Sequence, residues 1–122
     1  MAENSRELVV LMTRGADHEL SSVAWTIACG AITSGLKPYV FLTSSAIDLV
    51  RKRSVDLTQV APLSPLKALM TDFMARGGTV WACPPCVTSR GYVQDDLIEG
   101  VVITGASAMH ERLKEGAAAL SF

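Results

Sequence analysis

Apolar residues of the chain fall into short uninterrupted runs that alternate with longer segments of helical spacing. The runs at residues 8–12, 38–43, 79–82 and 101–104 have the length of β-strands. An unbroken apolar run of this length is typical of a strand that is buried on both faces of a parallel sheet. A further short run at residues 118–122 predicts a fifth strand.

Between these runs, capping residues and apolar periodicity predict helices. Asp17 is a candidate N-cap for an alanine-rich helix over residues 20–34. Ser64 and Pro65 suit the N-cap and the first position of a second helix, in which apolar residues recur every three or four positions. Further helical segments are predicted at residues 44–51, 95–96 and 106–115.

The alternation of strands and helices predicts an α/β fold. Right-handed crossovers between parallel strands place helices on both faces of a sheet, so we expect a three-layer α/β/α domain with a mainly parallel sheet of about five strands. No linker, repeat or low-complexity segment divides the sequence, which predicts a single domain over residues 1–122. Residues 53–63 form a polar loop that is long for a compact α/β unit, and we expect a lid or a contact surface there.

Composition removes several classes of function. The net charge is −1 and the one basic run, at residues 51–53, is short, so nucleic-acid binding has little support. No apolar run reaches the roughly 18 residues of a membrane span, and the N-terminal residues lack the apolar region of a signal peptide. We therefore expect a cytoplasmic protein with reduced thiols. Apolar residues make up 49% of the chain, which predicts a subunit interface as well as a buried sheet.

The candidate chemistry lies in the segment WACPPC, where the third predicted strand ends. Ligands of parallel sheets bind at the carboxyl ends of the strands, and Cys83 stands at such an end. Pro84 suits the first position of a helix, which makes Cys83 the expected N-cap and places Cys86 one turn in. Unpaired N–H groups and the dipole at a helix start favour the thiolate, the reactive form of cysteine. This placement predicts a reactive Cys83.

Four interpretations of the cysteine pair remain open on the residues alone. The pair could form a reversible disulfide, contribute to a metal site, carry sulfur as a persulfide on Cys83, or be two inert thiols in a stiff turn. A zinc site would need further ligands from Cys29, His18 and His110, which show no paired spacing, so we predict no metal. No glycine motif for dinucleotides or phosphates is present, so we predict no cofactor.

Residues in neighbouring strand-end loops are candidates to support the thiols. Arg14 follows the first strand, Arg90 lies one or two turns beyond the cysteine pair, and either guanidinium could stabilise a thiolate. Thr13 ends the first strand, where helix capping competes with ligand contact as its role. Cys29 is expected to be a buried small apolar residue of the first helix.

The ordered set of these features resembles the DsrE/DsrF/DsrH-like family of sulfur-relay proteins. The set comprises Thr13, Gly15 and Asp17 after the first strand, the run YVFLT at residues 39–43, Cys83 followed by Arg90-Gly91, and the run LSF at residues 120–122. The resemblance extends over nearly the whole chain. It places the family's reactive cysteine at Cys83, and Cys86 matches the second cysteine that some members carry.

The resemblance implies a five-stranded parallel sheet and a homotrimer or hexamer. It implies that Cys83 accepts sulfane sulfur from a donor protein and passes it to an acceptor protein, with Cys86 as a helper. A thiol–disulfide redox protein and a non-enzymatic oligomeric interaction module remain as alternatives. Pro84-Pro85 departs from the small or glycine residues that are commoner in the family, and neither proline has a backbone N–H to offer to a sulfur anion.

Overall fold

A five-stranded, all-parallel sheet forms the centre of the computed structural model, which describes residues 6–122. Its strands are β1 (Glu7–Met12), β2 (Lys37–Leu42), β3 (Thr79–Ala82), β4 (Val102–Ile103) and β5 (Ala118–Ser121). They lie in the spatial order β4-β3-β2-β1-β5, and every neighbouring pair is parallel. The predicted strands and the predicted parallel sheet are confirmed.

Helices cover both faces of this sheet, as the sequence predicts. The α-helices are α1 (Glu19–Thr33), α2 (Leu66–Ala75), α3 (Pro84–Ser89) and α4 (Ala106–Lys114), and two 3-10 helices span Ser44–Val50 and Gln94–Asp96. Because β1 to β4 follow one another outward in one direction, right-handed crossovers put α1 and α2 on the same face, where they pack together. The return from β4 to β5 runs the other way and puts α4 on the opposite face.

Two helix starts differ by one residue from the sequence-based prediction. His18, rather than Asp17, caps α1, because its Nδ1 accepts a hydrogen bond from the N–H of Leu20 at 3.1 Å. Pro65, rather than Ser64, is the N-cap of α2, since its ψ of 139° is not helical. An imidazole nitrogen can satisfy the same orphan N–H as a carboxylate, but capping preferences favour the carboxylate when only the sequence is known.

The face of the sheet under α1 and α2 holds the main core. Alternate strand residues point to this face, among them Val10, Val40 and Val80, and all three are buried. Trp25 of α1 meets Phe73 of α2 edge to face, with ring centroids 5.4 Å apart. Full burial of one such side chain contributes about 1.5–3 kcal/mol. This layer therefore fixes the strands, and with them the strand ends that carry the site.

The opposite face is only partly covered. α4 packs against β1 and β2, and none of its residues is fully buried. Arg112 Nη1 of α4 lies 3.0 Å from Glu7 Oε2. The same carboxylate oxygen also accepts a hydrogen bond from Tyr39 Oη. Trp81 of β3 stacks on Tyr39 with ring centroids 5.1 Å apart, and Val102 of β4 is 51% exposed. Apolar surface thus remains open over the β3–β4 half of this face.

Candidate functional site

The carboxyl ends of β1, β2 and β3 meet at one edge of the sheet and fix the position of Cys83. Backbone hydrogen bonds continue one residue past the strands. The N–H of Thr43 donates to the Met12 carbonyl at 3.1 Å, and the N–H of Cys83 donates to the Leu42 carbonyl at 3.0 Å. The Cys83 backbone is therefore held beside the end of β2.

Cys83 is the N-cap of α3, as predicted. Its φ of −63° and ψ of 123° are extended, and its carbonyl accepts a hydrogen bond from the Val87 N–H at 3.0 Å. Pro84 and Pro85 take the first two helical positions, and neither has an N–H. The Cys83 thiol is free and half-buried, so a small reagent or a partner's thiol can reach it.

Cys86 lies one turn further along α3, and its sulfur faces the start of the neighbouring 3-10 helix. The backbone N–H of Ser44 donates to Cys86 Sγ, with 3.3 Å between nitrogen and sulfur. Ser44 adopts a left-handed φ of 54°, which is uncommon for a residue other than glycine and is often found at functional sites. The Cys86 thiol is also free and half-buried. The contact supplies an amide that can stabilise negative charge on this sulfur.

The pKa of the Cys83 thiol is raised, against the expectation from its place at a helix start. Burial raises this pKa most, the backbone N–H of Cys86 lowers it, and the nearby Cys86 sulfur raises it again. The helix start does not offset burial, because Pro84 and Pro85 remove two N–H groups from the start of α3, which has only six residues. Cys83 is therefore mainly a thiol at neutral pH and must lose a proton before it can attack sulfur.

The three predicted supporting residues lie in the surrounding loops and contact other groups. Arg90, the C-cap of α3, places its Nε 3.3 Å from Asp48 Oδ1. Arg14 Nη1 lies 3.1 Å from His18 Nε2, and Thr13 Oγ1 donates at 2.9 Å to a backbone carbonyl that follows β5. Within residues 6–122, none of the three forms a hydrogen bond with either thiol of the pair. Any influence on a thiolate acts through space.

A polar cavity of about 390 Å³ opens next to Ser44. Its lining includes Thr13, Arg14 and His18, so it lies at the ends of β1 and β2, where open α/β sheets take their ligands. Because Ser44 also contacts Cys86, the cavity adjoins the thiol pair. Neither cysteine lines the cavity itself.

Ser44 and Asp48 lie next to the predicted site, and neither is among the residues that the sequence predicts for it. Asp48 accepts a hydrogen bond from Tyr92 Oη at 2.6 Å and pairs with Arg90, which ties the end of α3 to the 3-10 helix Ser44–Val50. The hydrogen bond to Asp48 raises the pKa of Tyr92, and burial acts in the same direction. Their partners lie more than 40 residues away in the chain. The only indication in the sequence is their place just after a predicted strand.

The third cysteine lies apart from the pair. Cys29 is buried in α1, as predicted, and its Sγ donates to the Leu69 carbonyl at 3.2 Å. Burial raises the pKa of this thiol, and the nearby Asp72 carboxylate raises it further. Between residues 6 and 122, no group of three or more His, Cys, Asp or Glu side chains is placed to hold a metal ion. No helix in that same range combines the length and the apolar character needed to cross a bilayer.

Comparison with known proteins gives one family and several structures of the same fold. A family model described as the DsrE/DsrF-like family matches residues 6–122. No curated protein sequence matches the chain. The match extends over both cysteines of the pair and over all the strands.

Several solved structures are similar to this chain, and three of them match nearly the whole of both chains. The ychN protein from E. coli has a TM-score of 0.78 and 18% identity, over 97% of this chain and 99% of that one. MTH1491 from Methanobacterium thermoautotrophicum, a protein of unknown function, has a TM-score of 0.74 and 19% identity, over 97% and 100% of the two chains. BT1422 from Bacteroides thetaiotaomicron has a TM-score of 0.72 and 20% identity, over 100% and 98%. At these identities the likeness shows the fold.

Proposed function

The chain belongs to the DsrE/DsrF-like family, and from that premise we propose that it is a sulfur-relay protein that holds sulfane sulfur as a persulfide on Cys83. A donor protein supplies the sulfur, and a thiol of an acceptor protein removes it. Family membership supports a sulfur-relay role in general. The position of the thiols supports the persulfide step.

One observation carries the proposal: two free, half-buried thiols stand one turn apart at the carboxyl end of β3. Sulfur transfer needs a thiol that a partner's thiol can reach, but a fully exposed persulfide would react with any thiol in solution. Half-burial of Cys83 and Cys86 meets both needs. The polar cavity lies next to them, because Ser44 lines it and donates its N–H to Cys86 Sγ.

The transfer is balanced without an oxidant or a reductant. The Cys83 thiolate attacks the outer sulfur of a donor persulfide, the sulfur–sulfur bond of the donor breaks, and the donor leaves as a thiolate. Cys83 then carries one extra sulfur atom. An acceptor thiolate attacks that outer sulfur, takes it as a new persulfide, and releases Cys83 as a thiolate. The proton that Cys83 loses before the first attack returns to it at the end.

Cys86 is the helper thiol in this scheme. Its thiolate, with the Ser44 N–H donating to the sulfur, can attack the outer sulfur on Cys83 and receive it. It can instead attack the inner sulfur, which forms a Cys83–Cys86 disulfide and releases hydrosulfide. The second route leaves an oxidised pair, and a cellular dithiol must then reduce it.

Mass spectrometry after incubation with a sulfane sulfur donor tests the proposal. Trypsin cleaves after Arg76 and Arg90, so Cys83 and Cys86 share the peptide 77–90 while Cys29 lies in another. We expect wild-type protein to gain the mass of one sulfur atom on that peptide, with fragment ions placing it on Cys83. Cys83→Ser should abolish the adduct, and Cys86→Ser should retain it but change its lifetime.

Cys29→Ala is the matched control, because it removes a buried thiol that lies away from the pair. This variant should form the adduct as the wild type does. An adduct that survives in Cys83→Ser, or a wild-type protein that gains no sulfur from a donor that loads other sulfur carriers, would show that Cys83 does not carry sulfane sulfur.

A reversible Cys83–Cys86 disulfide is the second candidate function, favoured by the CxxC spacing at the start of α3. Equilibration in glutathione buffers of graded potential separates the two functions. A redox protein loses two hydrogen atoms from peptide 77–90 at a defined potential in the cytosolic range and gains no sulfur from the donor. If neither product forms, the chain is the non-enzymatic interaction module that the sequence also allows.

Compartment, partners and assembly follow from the same proposal. A persulfide carrier needs reduced thiols, so we place the protein in the cytoplasm. Its partners are a sulfur donor protein and a sulfur acceptor protein. We further propose a homotrimer or hexamer, supported by the apolar surface that remains open over β3 and β4.

A further inference from the structure

A second cavity opens at the far end of the 3-10 helix Ser44–Val50, away from the thiols. Its volume is about 620 Å³, within the range of small-molecule sites. It lies between that helix end, α2 and residues 98–99. A 3-10 helix rises about 2 Å per residue, so this one separates the cavity from the Ser44–Cys86 contact by roughly 14 Å. The cavity is therefore distinct from the thiol site.

Positive charge dominates the rim of this cavity. Its cationic residues are Arg51, Lys52, Arg53 and Lys67. Asp56 lies 3.5 Å from Lys67 Nζ and offsets that charge, and Glu99 is the other carboxylate of the lining. Four cations minus two carboxylates leave two positive charges. Among residues 6–122, no ion pair engages the three cations at residues 51–53.

The floor of the cavity is aliphatic. Val55 and Met70 are buried, and Met74 and Ile98 are half-buried. The part of the lining that the structure describes includes no aromatic residue, so no platform for stacking a nucleobase is present. Unbranched methionine side chains adapt to flexible apolar ligands. This floor suits an aliphatic chain better than a planar ring.

Backbone contacts hold the cationic rim in place. Arg51 forms an antiparallel bridge with Leu97, and the N–H of Lys52 donates to the Asp96 carbonyl at 2.9 Å. The Arg51 guanidinium also lies over the Tyr92 ring, 5.6 Å from its centroid. Arg53 has a left-handed φ of 72°, a conformation that costs about 1–3 kcal/mol and is retained mainly at functional sites. The backbone that carries the three cations is therefore held by contacts within the chain.

We propose that this cavity binds an organic anion that carries a carboxylate or phosphate headgroup on an aliphatic body. The headgroup pairs with the cations at residues 51–53, and the aliphatic body lies on Met70 and Met74. The long loop over residues 53–63, which the sequence marks as a lid or contact surface, supplies Arg53, Val55 and Asp56 to the lining. The proposal does not depend on the sulfur chemistry.

Isothermal titration of the full chain with decanoate at submicellar concentration tests the proposal. Decanol and inorganic phosphate are run beside it, because each carries only one half of the proposed ligand. Decanoate should bind with one molecule per chain, decanol more weakly, and phosphate alone without saturation. Decyl phosphate then shows which headgroup the rim prefers.

Variants locate the binding. Lys52→Gln with Arg53→Gln should weaken decanoate binding about threefold to tenfold, the effect expected for loss of two partly exposed ion pairs. Thr71→Trp fills the cavity from the exposed side of α2 and should abolish binding. Lys114→Gln is the matched control, since it removes an exposed cation on α4, which covers the opposite face of the sheet from the cavity. This variant should bind decanoate as the wild type does.

Several results would overturn the proposal. Unchanged decanoate affinity in Thr71→Trp would place the ligand elsewhere, and equal affinity for decanol would remove the role of the cations. Saturable binding of phosphate as tight as that of decanoate would remove the role of the aliphatic floor. A change in oligomeric state in Thr71→Trp, without decanoate binding by the wild type, would instead make this cavity part of an interface between copies of the chain.

Discussion

The reactivity of Cys83 depends on which backbone N–H groups reach its sulfur. A cysteine at a helix N-cap ordinarily faces several free N–H groups, which lower its pKa. Here Pro84 and Pro85 leave the N–H of Cys86 as the one that acts on the sulfur, and burial outweighs it. The two prolines and the position of Cys83 at a strand end can both be predicted from the sequence. The degree of burial of the Cys83 thiol cannot, and it decides whether the pKa of that thiol is raised or lowered.

The raised pKa of Cys83 predicts a pH profile for its alkylation. Because only the thiolate reacts, the rate of carbamidomethylation at Cys83 should have its midpoint above the ordinary thiol value of 9.0. Cys86→Ser should move this midpoint down, since the variant removes the neighbouring sulfur and keeps the backbone N–H. It should not bring the midpoint below the ordinary value, because burial is the largest cause. The rates are measured by mass spectrometry of peptide 77–90.

A midpoint below the ordinary thiol value in the wild type would contradict this account. It would mean that the backbone N–H of Cys86, or the charge of Arg90 acting through space, outweighs burial. Arg90→Gln separates these causes, because it removes the charge and leaves the start of α3 unchanged.

Among the elements, those with long periodic or apolar patterns follow the sequence closely. β3 has the predicted bounds of residues 79–82, and α4 starts at the predicted residue 106. Their patterns are local, so the sequence contains them. The segment at residues 44–50 is a 3-10 helix, and its role depends on partners in α3 and beyond, which no local pattern encodes. The cavity over residues 51–53 arises in the same way, from segments that are distant in the chain.

The contact between α3 and the 3-10 helix Ser44–Val50 gives a prediction for Tyr92→Phe. This variant removes the hydrogen bond to Asp48 and leaves the Asp48–Arg90 ion pair. The free energy of unfolding at neutral pH should fall by about 1 kcal/mol, as measured by urea denaturation. Because the folded pKa of Tyr92 is raised, this stability is present below its ordinary pKa of about 10 and is lost as the pH rises through the raised value. The difference between wild type and variant should therefore shrink above about pH 10.

A difference that stays constant across that pH range would show that the hydroxyl group stabilises the fold without a change in its pKa. A difference that grows with pH would reverse the sign and contradict the hydrogen bond to Asp48. A comparison of persulfide formation on Cys83 between Tyr92→Phe and the wild type shows in addition whether this contact of α3 affects sulfur loading.

For the molecule as a whole, the high apolar content is only partly explained by the core of one chain. α1 and α2 bury one face of the sheet, but α4 covers only the β1–β2 half of the other. Trp81 is half-buried and Val102 is 51% exposed on the remaining half. Apolar patches of this kind on a parallel sheet are typical of interfaces between subunits. The sequence predicts the excess, but only the placement of α4 shows where it is exposed.

We expect the protein to sediment with three or six times the 13.0 kDa of one chain, and Val102→Lys to reduce that mass. A lysine at this position puts a charge into the proposed contact, and burial of an unpaired charge is costly. Ile27→Lys is the matched control, because Ile27 is 37% exposed on α1, on the other side of the sheet. Dissociation in Val102→Lys alone supports an interface over β3 and β4, whereas dissociation in Ile27→Lys alone places the interface on α1. A wild-type monomer at micromolar concentration would contradict the assembly and leave the open face of the sheet without an explanation.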